Sequence, residues 1–213
     1  MDPLPQPRVD YTAGELDVTD IATDPFVTVR AWLDEAIATG MKDPTAITIS
    51  TVDDAGVPDA RVVLLRGVDA RGVSFFTNRE SAKGRQLAGT KRAALTWFNT
   101  TLERQIRMRG VVSLLPDDES DAYFLSRPRT TRLAAHASNQ SEPIESRDAL
   151  AGQFAKVAAD YPDDTPVLRP TFWGGYVLMP DTIEFWQGRR SRMHDRVQLS
   201  RDGATWKRQR LQP

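Results

Sequence analysis

Apolar positions along the chain follow two different periods. Over residues 24–40 they recur at helical spacing: Phe26, Val29, Trp32, Leu33 and Ile37 share a stripe, Asp24-Pro25 supplies an N-cap and a first-turn proline, and Gly40 stands past the end. From Ala46 to Asn78 the pattern becomes short apolar runs broken by turn residues: AITISTV, DDAG, RVVLLR, DARG, VSFFTN. That is a strand meander. A short helix is expected after Ser81. KRAALTWF and ERQIRMRGVVSLL then resume the sheet, with Ile106, Met108, Val112 and Leu114 alternating against Gln105, Arg107, Arg109 and Ser113. Helical character returns over about 117–126 and over 147–160, where Ser146 caps and Pro162 ends the segment. The last fifty or so residues read as strands WGGYVLM, TIEFWQG, RMHDRVQLS and TWKRQRL, with Pro180-Asp181 and Asp202-Gly203 as turns.

Helix, strands, helices, strands in that order favours a mainly β architecture, an antiparallel barrel with peripheral helices, over a βαβ sheet. Residues 1–20 are proline-rich and aperiodic and read as a flexible arm; residues 21–213 read as one domain, with no repeat or linker that divides them.

Composition narrows the chemistry. The 213 residues carry 28 basic and 29 acidic side chains, a net charge of −1, which argues against a general nucleic-acid binder. No cysteine is present, so disulfides, thiolate metal sites and cysteine nucleophiles are excluded. No run approaches the roughly 18 consecutive apolar residues of a membrane span, and the amino terminus lacks the build of a signal peptide, so a cytoplasmic location with no membrane partner is expected. Two histidines cannot make a histidine-rich metal centre. Gly67 and Gly72 have the spacing that opens a phosphate loop, yet Val73 stands where its lysine belongs. If the chain is an enzyme, an organic cofactor carries the difficult step.

What remains is cationic. Arginine outnumbers lysine 23 to 5, which reflects either bidentate phosphate recognition or a coding bias. Arg61 and Arg66 bracket VVLL and would fall on opposite faces of a strand, each within reach of a different anion. Ser81-Ala82-Lys83 opens a helix, a natural phosphate seat or simply a capped surface helix. Tyr123 and Arg127 are spaced to share a helix face, with Thr131 just beyond Pro128, a set suited to a phosphorylated aromatic ligand. Arg192, His194 and Arg196 would line one side of a strand, with Met193, Asp195 and Val197 on the other; a solvated edge strand explains them equally well.

In order and spacing, the segments DPTA (43–46), RVVLLR (61–66), FFTN (75–78), SAK (81–83), LERQ (102–105), YFLSRPR (123–129), NQS (139–141), WGGY (173–176), EFWQG (184–188) and RMHDR (192–196) resemble the FMN-dependent pyridoxine/pyridoxamine 5′-phosphate oxidases. The resemblance spans about Tyr11 to the terminal RLQP. It implies an antiparallel split β-barrel and a homodimer with FMN at the subunit interface. Flavin contacts are then expected from Arg61, Val62, Val63, Leu64, Leu65, Arg66, Phe76, Thr77, Ala82, Lys83, Gln105, Gln140, Ser141, Trp186 and Arg196. Substrate contacts are expected from Arg8, Tyr11, Arg66, Tyr123, Arg127, Thr131, Arg192 and His194, with Arg8 and Tyr11 in the arm acting as a lid.

The implied reaction is oxidation at C4′ of pyridoxamine or pyridoxine 5′-phosphate to pyridoxal 5′-phosphate, O2 being reduced to H2O2. Arg192 and His194 would orient the reacting carbon, His194 as a possible proton acceptor, with Asp43 a lesser candidate for proton handling. The chain departs from the family pattern at Arg66 for lysine, Ala82 for arginine, His136 for tryptophan and Thr131 for serine. Two alternatives stand beside this reading: a related split-barrel flavin oxidase of the phenazine-biosynthesis type, and a flavin- or pyridoxal-phosphate-binding protein without turnover.

Overall fold

The computed structural model describes residues 10–213. Nine strands form one antiparallel sheet: β1 (Ala46–Val52), β2 (Pro58–Leu64), β3 (Gly67–Asp69), β4 (Gly72–Asn78), β5 (Arg92–Asn99), β6 (Arg104–Leu114), β7 (Trp173–Gln187), β8 (Asp195–Asp202) and β9 (Thr205–Arg210). Among the described residues, five α-helices accompany it: α1 (Pro25–Ala38), α2 (Ala82–Thr90), α3 (Asp117–Ser126), α4 (Arg129–Ala137) and α5 (Arg147–Asp160). The order along the sheet is β2-β1-β5-β6-β7-β4-β3, and β8 and β9 branch from β7.

The long strand β7 makes that branching possible. Its first part, from Trp173 to Leu178, pairs with β4, its last part, from Thr182 to Gln187, pairs with β8, and β6 pairs with its other edge from Tyr176 to Gln187. The sheet therefore curls into the half-barrel expected from the sequence. Its concave side is apolar: the cross-strand row Trp97, Ile106, Phe185, Val197 is at most 1% exposed. Helix α1 lies against this row with Trp32 edge-on to Phe185 at 5.2 Å. Its start is as punctuated in the sequence, Asp24 accepting the Phe26 N–H and Pro25 following. Ile37 and Leu114, expected in the apolar stripes, sit at element ends and are exposed.

Three local expectations are corrected. Pro180-Asp181 is not a turn: β7 passes straight through it as a β-bulge, three residues of β7 (Pro180 to Thr182) facing two of β6 (Arg109, Gly110). Gly110 permits the close pass, since a Cβ there would meet the Met179 carbonyl oxygen at 2.1 Å. The helix carrying Tyr123 does not run on to Arg127. Helix α3 stops at Ser126, Arg127 is extended (φ −76°, ψ 149°), and Pro128 is the N-cap of α4, so Tyr123 and Arg127 do not share a helix face. Finally, residues 190–192 form a 3-10 turn in which Ser191 and Arg192 adopt positive φ (56° and 62°). The strand begins only at Asp195, so Arg192 and His194 belong to a loop and the alternation predicted for 192–197 starts late.

Candidate active site

A cleft of about 460 Å³ opens between the end of β2, the β4–α2 junction and the α3–α4 corner. Such a volume suits a small-molecule ligand. Of the residues singled out in the sequence, Arg61, Val62, Val63, Leu64, Arg66, Phe76, Thr77, Lys83, Tyr123, Arg127, Thr131 and Gln140 all line it. The sequence reading missed Ala134, Ala135 and Ser138, and it had noted Asn78 only within FFTN and Trp173 only within WGGY. Among the described residues, four of the lining side chains are cationic and none is a carboxylate.

Each cation is placed by a local device. Ser81 caps α2 by accepting the Gly84 N–H, which puts Lys83 in the first turn with Nζ donating to Thr77 Oγ1, Ser81 Oγ and Gln140 Oε1 at 3.3, 3.3 and 2.9 Å. Burial, and then the like charge of Arg61, hold the Lys83 ammonium below the ordinary lysine pKa. Arg61 and Arg66 were expected on opposite faces. The chain leaves β2 at Leu64, Leu65 turns into the core, and Arg66 is anchored to the next hairpin through its N–H to Ser74 O, so both arginines face the same cleft.

Arg127 lies over the Trp173 ring at 4.8 Å and near the Phe124 ring at 5.3 Å. Its Nη2 donates to Thr131 O at 3.0 Å, while Nη1 is buried without a partner among the described residues. Burial, offset in part by Tyr123, lowers its pKa, and Arg66 lowers it further. Beside it Phe76, Tyr123 and Trp173 lie nearly parallel, Phe76 to Tyr123 at 4.0 Å and Phe76 to Trp173 at 5.5 Å. Helix α3, which carries Tyr123, is fixed by the buried Arg169 reaching Asp117 and Asp121 and by Ser120 Oγ accepting the Gly175 N–H. A buried guanidinium donor without an acceptor, in a carboxylate-free cleft walled by flat rings, fits a phosphorylated ring compound.

The remaining predicted residues lie elsewhere. Gln105, Trp186 and Arg196 are direct cross-strand partners and, with Phe98, form a row on the outward face of the sheet. Arg196 is held by a bidentate ion pair to the buried Glu184 (2.9 and 3.1 Å). Tyr11 and His194 join this row, with ring centroids 5.7 and 4.7 Å from that of Trp186. The strap carrying Tyr11 is fastened by Leu16 N–H to Asp195 and by Arg189 to Glu15.

Burial and then the neighbouring Arg192 lower the His194 pKa, Asp195 opposing them. Its Nδ1 accepts the Arg189 N–H at 3.1 Å, so the neutral ring carries its proton on Nε2. In this form His194 offers a hydrogen bond from Nε2. Arg192 is exposed in the same loop. Ser141 is exposed with φ 76°, Ala82 is half-buried at the start of α2, and Asp43 is exposed in a left-handed turn before β1 and outside the cleft. Arg8 lies outside the described residues.

The half-barrel and its cationic cleft define a split-barrel protein with a seat for a phosphorylated ring compound. Comparison with known proteins bears this out. Residues 33–160 match the pyridoxamine 5′-phosphate oxidase family profile, and residues 173–213 match the pyridoxine 5′-phosphate oxidase C-terminal dimerisation region. A pyridoxine/pyridoxamine 5′-phosphate oxidase of Burkholderia thailandensis is 46% identical over 97% of both chains, and one of Paraburkholderia phytofirmans is 46% identical over the full length of both. The chain belongs to the pyridoxine/pyridoxamine 5′-phosphate oxidase family, whose cofactor is FMN.

Among solved structures, PhzG from Burkholderia lata 383, in complex with tetrahydrophenazine-1-carboxylic acid, superposes with a TM-score of 0.85 at 31% identity, covering 92% of this chain and 96% of that one. A pyridoxamine 5′-phosphate oxidase-related, FMN-binding protein from Nostoc punctiforme has a similar fold, with a TM-score of 0.73 at 18% identity, covering 90% of this chain and all of that one.

Proposed function

We propose that this protein is an FMN-dependent oxidase that converts pyridoxamine or pyridoxine 5′-phosphate to pyridoxal 5′-phosphate, and that its site is completed by a second copy of the chain. The observation carrying this reading is the cleft with four cations, no carboxylate and an unpartnered buried Arg127 Nη1 beside three parallel rings. Two phosphates require two cationic grips, and the cleft has two. Arg61 and Lys83 with Thr77 would hold the FMN phosphate, while Arg127, Tyr123 and Thr131, with Arg66 near the Tyr123 ring at 6.0 Å, would hold the substrate phosphate.

The outward row of Gln105, Trp186 and Arg196 and the loop with Arg192 and His194 do not line this cleft. A symmetric dimer would bring them to the cleft of the partner copy, in keeping with the dimerisation region matched at 173–213. There the Nε2–H of His194 and the guanidinium of Arg192 would orient the C4′ substituent, and Tyr11 would cover the ring from the strap. The substrate loses two electrons and two protons at C4′; for the amine, water replaces the nitrogen and ammonia leaves. When bound, FMN would supply the two-electron acceptor, with O2 as the terminal oxidant and H2O2 as its product. The chain's own contribution is placement, which is worth at most about 7–11 kcal/mol of barrier.

A second reading is favoured by the likeness to the PhzG complex: oxidation of a reduced phenazine carboxylate. Oxygen uptake and peroxide release by the yellow protein separate the two. Turnover of pyridoxamine 5′-phosphate but not of unphosphorylated pyridoxamine supports the proposal. Turnover confined to a reduced phenazine carboxylate supports the alternative, and no turnover of either overturns both.

A further inference from the structure

The cation at one end of the cleft is held by three side chains outside it. Arg61 Nη1 donates to Thr51 Oγ1 at 2.5 Å, and its Nη2 reaches both the Asp59 carboxylate and Gln86 Oε1, the latter at 3.1 Å. Thr51 in turn donates its hydroxyl proton to Gln86 Oε1, and Gln86 Nε2 donates to Asp59 Oδ2 at 3.3 Å. Thr51 is buried in β1, and Gln86 is half-buried one turn along α2 from Lys83. The network fixes the carboxamide's orientation: its oxygen must face Arg61 and Thr51, and its nitrogen must face Asp59.

We infer that Gln86 is a positioning residue for the phosphate grip, acting through Arg61; this rests on the cleft being the FMN phosphate seat. A guanidinium has five N–H donors. Three are used by Thr51, Asp59 and Gln86, which leaves Nε–H and one Nη1–H for an incoming anion. Without an acceptor at Gln86, the Asp59 carboxylate is the only strong partner of Nη2, and the fork is free to swing towards it and out of the cleft. Gln86 holds Arg61 and Asp59 at once, so the carboxylate steadies the arginine without capturing it. Only a carboxamide does both. Glutamate at this position would face Asp59 with like charge and cancel the charge of Arg61.

The test compares FMN with riboflavin, which has the same ring and no phosphate, by quenching of flavin fluorescence on the purified chain. Wild type is expected to bind FMN at least about a hundredfold more tightly than riboflavin. Gln86→Leu is expected to weaken FMN about tenfold and leave riboflavin within about twofold, and Gln86→Glu to weaken FMN further. Thr51→Val, nearly isosteric, gives a second route should Gln86→Leu fail to fold. If wild type prefers FMN and both Gln86→Leu and Thr51→Val keep that preference, the positioning role is wrong while the cleft assignment stands. If both variants weaken FMN and riboflavin equally, the effect is structural and the inference is again wrong. A wild type without preference for FMN overturns the phosphate seat itself.

Discussion

Lys83 concentrates the electrostatics of the cleft in one group. Its folded-state pKa is lowered by burial and by Arg61, so between that value and the unfolded one the unfolded chain holds a proton the folded chain has released. Stability of the FMN-free protein therefore rises with pH across that alkaline window, and the cost of burying the ammonium is present below it. FMN affinity falls over the same window, since the neutral amine no longer attracts phosphate. Thermal unfolding of wild type and Lys83→Met from neutral to alkaline pH checks this: the melting temperature of wild type should gain on that of the variant as pH rises. Arg127 makes a different prediction. Replacing it with Met keeps the stem over Trp173 and deletes the guanidinium, so KM for the phosphorylated substrate is expected to rise at least about tenfold with little change in FMN binding.

At the scale of elements, the α2 start does two things at once, because Ser81 Oγ both accepts the Gly84 N–H and receives a bond from Lys83 Nζ. Ser81→Ala is expected to cost about 1 kcal/mol in denaturant unfolding, as a lost N-cap does, and to weaken FMN as well. Gly188→Ala tests the strap. A Cβ there would meet the Tyr11 ring at 2.7 Å, so Tyr11 should be displaced and turnover reduced, with the melting temperature little changed.

These elements also show what was readable in the chain. Helix α1, the Ser81 cap and the meander were legible because cap residues and period are local properties. The continuity of β7 was not, because a proline with an aspartate reads locally as a turn and only the β6 partner makes it a bulge. Helix α4 was hidden behind Pro128, which the sequence offers equally as a terminator or a cap. Arg61, Arg66 and Lys83 could be picked out one by one. Their convergence, and the Thr51–Gln86–Asp59 support behind Arg61, depend on strand order and had no sequence signal beyond polar residues in unremarkable places.

For the whole molecule, the division of predicted site residues between a cleft and an outward row has one economical explanation. One sheet face is spent on the core and the other carries Phe98, Gln105, Trp186 and Arg196 outward, so in the dimer proposed above the row would meet the cleft of the second copy. Phe98→Glu puts a charge on that row, outside the cleft of its own chain. Sedimentation should show it shifted towards monomer, with FMN held less tightly than by wild type; an unchanged dimer would place the interface elsewhere.

The central claim is that one phosphorylated ring hands electrons to another inside this cleft. Its most direct measurement is an anaerobic absorbance titration of the FMN-loaded protein with pyridoxamine 5′-phosphate. Stoichiometric bleaching of the flavin band near the visible blue, reversed on admitting air, is the predicted result. A flavin that stays bound and fully yellow through saturating substrate would contradict it.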